Sequence, residues 1–215
     1  MNEIELLNWA RGPGLTYATI IMVFGLTLRV IEILSLGRPA ELAEVRNSGV
    51  SDGWKMIFKR SLPERRNWKY ITAAYLFHVG LLIVVFFFIP HTQLFRDVFG
   101  IFWDGWPNYI IDFVTVVSIA ALLYTLAQRL FDPARRILTT IPDYLAWLVT
   151  FLPFVTGYMA FHRLGVDYTL MLALHILSVE LLMIALPISK LTHAVTFAMS
   201  RWYIGSNNGR RGIRT

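Results

Sequence analysis

The sequence contains no cysteine and few charged residues. Only 16% of its 215 residues are Asp, Glu, Lys or Arg, whereas 56% are hydrophobic. The missing cysteine excludes a disulfide framework, a thiolate-bound zinc or iron–sulfur site and a cysteine nucleophile in this chain. The low charge and high hydrophobicity exclude a disordered chain and a coiled-coil rod. A net charge of +6 would suggest nucleic acid in a polar protein. In so apolar a chain we attribute it to membrane topology and predict no nucleic-acid partner.

Five apolar runs dominate the sequence, each near the about 20 residues that cross a bilayer. Polar or turn-rich stretches separate them, and many tryptophan and tyrosine residues lie near their ends, as in membrane-interface aromatic belts. We therefore predict an all-α integral membrane protein with five transmembrane helices in a single membrane domain, residues 1–215. The predicted spans are 15–36, 71–90, 110–128, 143–162 and 169–189.

Lysine and arginine are unequally distributed between the connections. Segments 37–70, 129–142 and 190–215 hold sixteen of them, and the connections on the opposite side hold three. Cytoplasmic connections carry the excess of positive residues in membrane proteins. The N-terminus is therefore predicted outside and the C-terminus in the cytoplasm.

Ionisable residues inside the predicted spans are candidates for function because they are costly in a bilayer. Glu180 lies in the middle third of the fifth span, where it either handles protons or makes a structural hydrogen bond. Arg29 and Glu32, near the cytoplasmic end of the first span, are three residues apart and can pair on one helix face.

The five histidines are placed at informative depths. His175 and His193 are 18 residues apart, which on one helix is five complete turns and about 27 Å of rise. Both imidazoles would then project from one face at opposite membrane depths, as when one helix supplies an axial ligand to each of two haems. His78, near the cytoplasmic start of the second span, matches the depth of His193, and small residues such as Gly80 would leave room for a macrocycle.

The segments that flank these histidines resemble a known family. Residues Phe77–Gly80, Leu174–Leu177 and Pro187–His193 are similar to the membrane cytochrome b (gamma) subunit of respiratory nitrate reductase. The resemblance covers all five spans and implies a cytochrome b domain with haem b as its cofactor. It also implies that the inner haem iron is held by His78 and His193, and the outer one by His175 and a second histidine of the second span.

The sequence departs from that family at the fourth ligand. The position ten residues after His78, where this ligand is expected, is Phe88. His91, three residues and about 4.5 Å further along the chain, and His162, at the outer end of the fourth span, are the local replacements. We favour His91, and the predicted number of haems is one or two.

Other segments resemble a related branch of cytochromes. Residues 99–107, 152–162 and 209–212 are similar to membrane cytochromes of heterodisulfide-reductase-like and dissimilatory sulfur-metabolism complexes. This resemblance implies a cytoplasmic iron–sulfur partner similar to heterodisulfide reductase or to the nitrate reductase beta subunit. It also implies a multi-pass protein of the bacterial or archaeal cytoplasmic (inner) membrane.

Together these features predict an electron-transfer subunit of a respiratory oxidoreductase, which oxidises quinol or reduces quinone. Haem carries the redox step in such subunits, and the protein sets ligation and spacing. Candidate groups for quinone contact or proton handling are His91, Arg96, Asp97, His162 and Glu180. The alternative is a haem-free membrane anchor or transporter subunit with structural histidines.

The cytoplasmic segment 51–69 carries a basic amphipathic pattern. Trp54, Ile57, Phe58 and Leu62 would share one helix face, and most of the basic residues would lie on the rest. Such a helix either lies on anionic lipid or, with the tail 201–215, forms a seat to which an acidic iron–sulfur partner is steered.

Overall fold

The computed structural model describes residues 2–37, 45–59 and 67–213. Within these ranges the regular structure is helical, without strands. The helices are α1 Glu3–Trp9, α2 Leu15–Ser35, α3 Val50–Phe58, α4 Trp68–Phe87, α5 Ile89–Phe99, α6 Asn108–Phe131, α7 Pro133–Leu138, α8 Ile141–Phe161, α9 Tyr168–Ile188 and α10 His193–Arg210. A π-helical turn, Ala10–Gly14, joins α1 to α2, and a 3-10 turn, Lys190–Thr192, precedes α10.

Five of the helical stretches are long and apolar enough to cross a membrane. They are Glu3–Ser35, Trp68–Phe87, Asn108–Phe131, Ile141–Phe161 and Tyr168–Ile188. For the described residues, the prediction of an all-helical chain with five helices long and apolar enough to span a membrane is confirmed. The first begins earlier than predicted, because Asn2 and Glu5 form a reciprocal capping box that starts α1 outside the apolar run.

Side-chain caps define several other helix starts. Thr140 and Asp143 form a second capping box at the start of α8, with the Thr140 amide 2.9 Å from Asp143 Oδ2. Asp167 Oδ2 accepts a 2.8 Å hydrogen bond from the Thr169 amide, and this bond holds the pKa of Asp167 below its ordinary value. These caps satisfy amides that have no partner within the helix.

The chain forms two compact units. The first comprises residues 1–15 and 63–182, and the second residues 16–62 and 183–215. In the first unit α4 and α6 approach closely at Gly80, where an added Cβ would overlap Ser118 Oγ. Gly80 therefore serves helix packing, and the prediction that it leaves open space for a macrocycle is wrong.

In the second unit α3 packs on α10 through glycines spaced four apart on each side. A Cβ at Gly49 would meet the Ser206 backbone, and a Cβ at Gly209 would meet Asp52. Gly53 and Gly205 are equally crowded. α3 therefore contacts α10 through the face that carries its glycines, and its apolar residues lie on other faces.

The apolar residues predicted to share one face of α3 are largely outside this contact. Trp54 is 59% exposed and Phe58 is 81% exposed, and Ile57 is half-buried. Lys55 is also exposed. Leu62 lies outside the described residues.

α9 does not continue to His193. Pro187 lies in its last turn and has no amide hydrogen for the helical ladder, and Ser189 then adopts an extended conformation and caps the next turn, accepting from the Leu191 amide at 3.2 Å. The single helix expected between His175 and His193 is therefore interrupted. The argument from five uninterrupted turns is wrong.

Candidate functional site

The first unit brings His91 of α5 and His175 of α9 together. Their ring centres are 6.3 Å apart and their planes differ by 15°. Two imidazole nitrogens on one metal, each at about 2 Å, with each ring centre about 1 Å behind its nitrogen, place the ring centres at most about 6 Å apart. The observed spacing is close to this value, so a haem iron, if bound here, would be held by His91 and His175.

Hydrogen bonds orient both rings of this pair. His91 Nδ1 lies 2.9 Å from the Val84 carbonyl oxygen, and His175 Nδ1 lies 3.3 Å from Thr156 Oγ1. A metal-binding histidine generally donates the hydrogen of its other nitrogen to such an acceptor. Nε2 is then the nitrogen of each ring that can take the metal.

The environment of His91 favours the neutral imidazole that iron binds. Burial lowers the pKa of His91 below its ordinary value, and the hydrogen bond to Val84 opposes this shift. His91 belongs to α5 and therefore lies outside Trp68–Phe87, the second helix long and apolar enough to cross a membrane.

A break in the chain after α4 explains how His91 reaches His175. Phe88 is extended, with φ −76° and ψ 126°, and Pro90 lies in the first turn of α5. His91 therefore belongs to a new helix, whose direction the helical phase of α4 does not determine. The Phe88 ring packs edge-on against His91 and against Phe161, and so forms a wall beside the pair.

α8 supports His175 on the other side. An added Cβ at Gly157 would lie 2.9 Å from His175 Cε1 and 3.1 Å from its Nδ1. The ring therefore rests against a position where only glycine fits without a shift. Thr156, the neighbouring residue, makes the Nδ1 contact described above.

His162, the alternative ligand in the sequence prediction, has a different partner. Its Nε2 lies 2.7 Å from Asp112 Oδ1 at the start of α6, and its ring packs against Tyr158. Asp112 was not among the predicted site residues. The two residues are 50 positions apart on different helices, so no sequence spacing indicates the pair.

His78 and His193 share a feature with the His91–His175 pair. His78 Nδ1 lies 2.6 Å from the Ala74 carbonyl oxygen, and His193 Nδ1 lies 2.9 Å from that of Lys190. Both residues are exposed. His78 belongs to the first unit and His193 to the second.

Glu180 is buried, with 5% of its surface exposed. Its carboxylate lies against Gly14 at the end of the π-helical turn, where an added Cβ would be 2.7 Å from Oε1. Within the described ranges Oε1 has no hydrogen-bond partner. The structure thus places one carboxylate oxygen of Glu180 in the interior without a partner among the described residues, and both predictions for Glu180, proton handling and a structural hydrogen bond, stay predictions.

The remaining predicted residues lie on helix surfaces. Arg96 packs over the Phe102 ring at 5.3 Å, and Asp97 is exposed on the same helix. Arg29 and Glu32 form the predicted ion pair at 2.8 Å. Arg29 Nε also donates to the Pro187 carbonyl at 3.2 Å.

A protein of Nitratidesulfovibrio vulgaris (strain Hildenborough), whose name is simply "Protein", is similar to this chain. The two are 32% identical over 203 residues, which cover 90% of this chain and 89% of the relative. No protein-family model matches the chain, and no solved structure matches it.

Proposed function

We propose that this chain, which belongs to the same family as the Nitratidesulfovibrio vulgaris protein, is a haem b membrane subunit of a respiratory oxidoreductase. It transfers electrons between the quinone pool and a cytoplasmic iron–sulfur partner. The observation that carries the proposal is the His91–His175 pair, with ring centres 6.3 Å apart, nearly parallel planes and both Nδ1 atoms in contact with acceptors. Bound there, haem would supply reversible one-electron transfer.

A second haem would be held by His78 and His193. The support is the resemblance of their flanking segments to nitrate reductase gamma subunits and the carbonyl contact of each Nδ1. His78 is exposed on the apolar spanning helix α4, ten residues after its first residue and therefore deeper than predicted.

Quinone chemistry requires proton acceptors on the chain, because a quinol that loses two electrons also loses two protons. We assign this task to the exposed His162–Asp112 pair and to the buried carboxylate of Glu180. Arg96 and Asp97, exposed on the helix that carries His91, are candidates for contact with the quinone head.

The orientation follows from the excess of lysine and arginine in three connections. It places the N-terminus outside and α3 and α10 on the cytoplasmic side of a bacterial or archaeal inner membrane. Lys55 and Lys59, exposed on and just after α3, would steer an acidic iron–sulfur protein to this side.

A second candidate function is a transporter subunit or membrane anchor without haem. It is favoured by Glu180, whose buried Oε1 lacks a hydrogen-bond partner in the described part of the chain, beside a π-helical turn that contains Pro13. Interrupted helices and buried polar groups mark substrate sites in transporters.

Absorption spectra of the purified protein separate these functions. The proposal predicts a b-type spectrum after dithionite reduction, and reduction of the same bands by a short-chain quinol. The double variant His91→Ala/His175→Ala should lose part of the absorption. A colourless protein from haem-replete cells would support the haem-free function.

A further inference from the structure

We infer that Thr156 is a positioning residue for His175, because its hydroxyl oxygen accepts the Nδ1 hydrogen and so fixes the tautomer whose Nε2 can bind iron. The inference deepens the proposed function and rests on it. It concerns a residue of α8 that would touch neither haem iron nor quinone.

The direction of the hydrogen bonds follows from counting hydroxyl hydrogens. Thr156 Oγ1 lies 2.7 Å from the Leu152 carbonyl oxygen, and Ser178 Oγ lies 2.7 Å from that of His175. Each hydroxyl has one hydrogen, and a carbonyl can only accept. Thr156 Oγ1 also lies 3.0 Å from Ser178 Oγ. When both hydroxyl hydrogens are donated to these carbonyls, Thr156 Oγ1 accepts from His175 Nδ1 at 3.3 Å. The hydrogen therefore belongs to Nδ1.

Thr156 Oγ1 contacts Nδ1 of His175, whereas Nε2 is the nitrogen that would bind iron. Loss of the threonine hydroxyl should therefore leave His175 able to bind iron, with its electronic character changed. This expectation separates a positioning role from a ligand role, in which the haem itself would be lost.

An acceptor on Nδ1–H increases electron density at Nε2, which stabilises ferric iron more than ferrous iron. Thr156→Ala should thus raise the midpoint potential of the outer haem. Mutating a residue that hydrogen-bonds to a metal ligand commonly changes metal affinity or activity by about tenfold or more. A tenfold change in the ferric-to-ferrous preference is about 59 mV for one electron.

The experiment compares Thr156→Ala, Thr156→Ser and Thr150→Ala by redox titration and by low-spin ferric EPR. Thr150 is the matched control, since it is buried on the same helix and its hydroxyl donates to the Ala146 carbonyl at 2.8 Å. The titrations are made in the His193→Ala background, which removes the proposed inner haem, and again with His193 intact.

Thr156→Ala should raise the potential and shift the EPR signal at unchanged haem content, Thr156→Ser should restore both, and Thr150→Ala should change neither. With His193 intact, only one of two potentials should move. Wild-type values in Thr156→Ala, or equal shifts in Thr156→Ala and Thr150→Ala, would overturn the inference while the proposed function stands. If the His193→Ala protein contains no haem, and the protein with His193 intact shows a single potential, there is no outer haem. That result would contradict the proposed outer haem and this inference with it.

Discussion

Gly157→Ala should lower the content of the haem proposed between His91 and His175 and spare the haem proposed between His78 and His193. The added Cβ would lie 2.9 Å from His175 Cε1 and 3.1 Å from Nδ1, whereas packed carbon atoms lie about 3.5–4.0 Å apart. The ring or α8 must therefore move by roughly 0.5 Å or more. Metal–nitrogen distances vary by only about 0.2 Å, so a shift of this size would weaken the hold of His175 and His91 on one iron.

Crowding of this kind costs about 1–3 kcal/mol, which weakens retention of the haem by about fivefold to more than a hundredfold. The assay is haem per chain by pyridine haemochrome after purification, with the reduced spectrum recorded alongside. Gly12→Ala is the control, because in the described part of the chain nothing lies within 4 Å of a Cβ at Gly12. Full haem content and an unchanged spectrum in Gly157→Ala would refute the reasoning.

Charge reversal at Lys55 and Lys59 should release the proposed iron–sulfur partner without changing haem content. If the complex of the variant stays intact at moderate salt, α3 lies on lipid instead. Gly80→Ala should lower stability by about 1–3 kcal/mol in thermal unfolding of the detergent-solubilised protein, because its Cβ would overlap Ser118 Oγ, and an unchanged melting temperature would mean that α4 and α6 do not approach closely there. Glu180→Gln should slow quinol oxidation at constant haem content, and a wild-type rate would remove Glu180 from the proton acceptors.

The membrane-spanning helices could be predicted because their signal is local. Each predicted span overlaps a helix that is long and apolar enough to cross a membrane. The early start of the first helix also had a local signal, the Asn2–Glu5 capping box, and the end of α9 had one in Pro187. The sequence therefore contained signals for both helix boundaries, but the predicted bounds followed the apolar runs instead.

The surroundings of the candidate site could not be predicted in this way. Thr156 and His175 are 19 positions apart, and Asp112 and His162 are 50 apart, so their contacts depend on how separate helices pack. The sequence indicated His91 as a replacement ligand on the same side as His175. The break at Phe88, which separates α5 from α4, sets where His91 lies.

Haem content per chain tests most directly whether His91 and His175 hold a haem. Pyridine haemochrome assays should give two haems per chain in the wild type. His91→Ala should give one haem, because His91 faces His175. His162→Ala should give two, because His162 Nε2 is hydrogen-bonded to Asp112. Two haems retained in His91→Ala, or a haem lost in His162→Ala, would contradict the assignment.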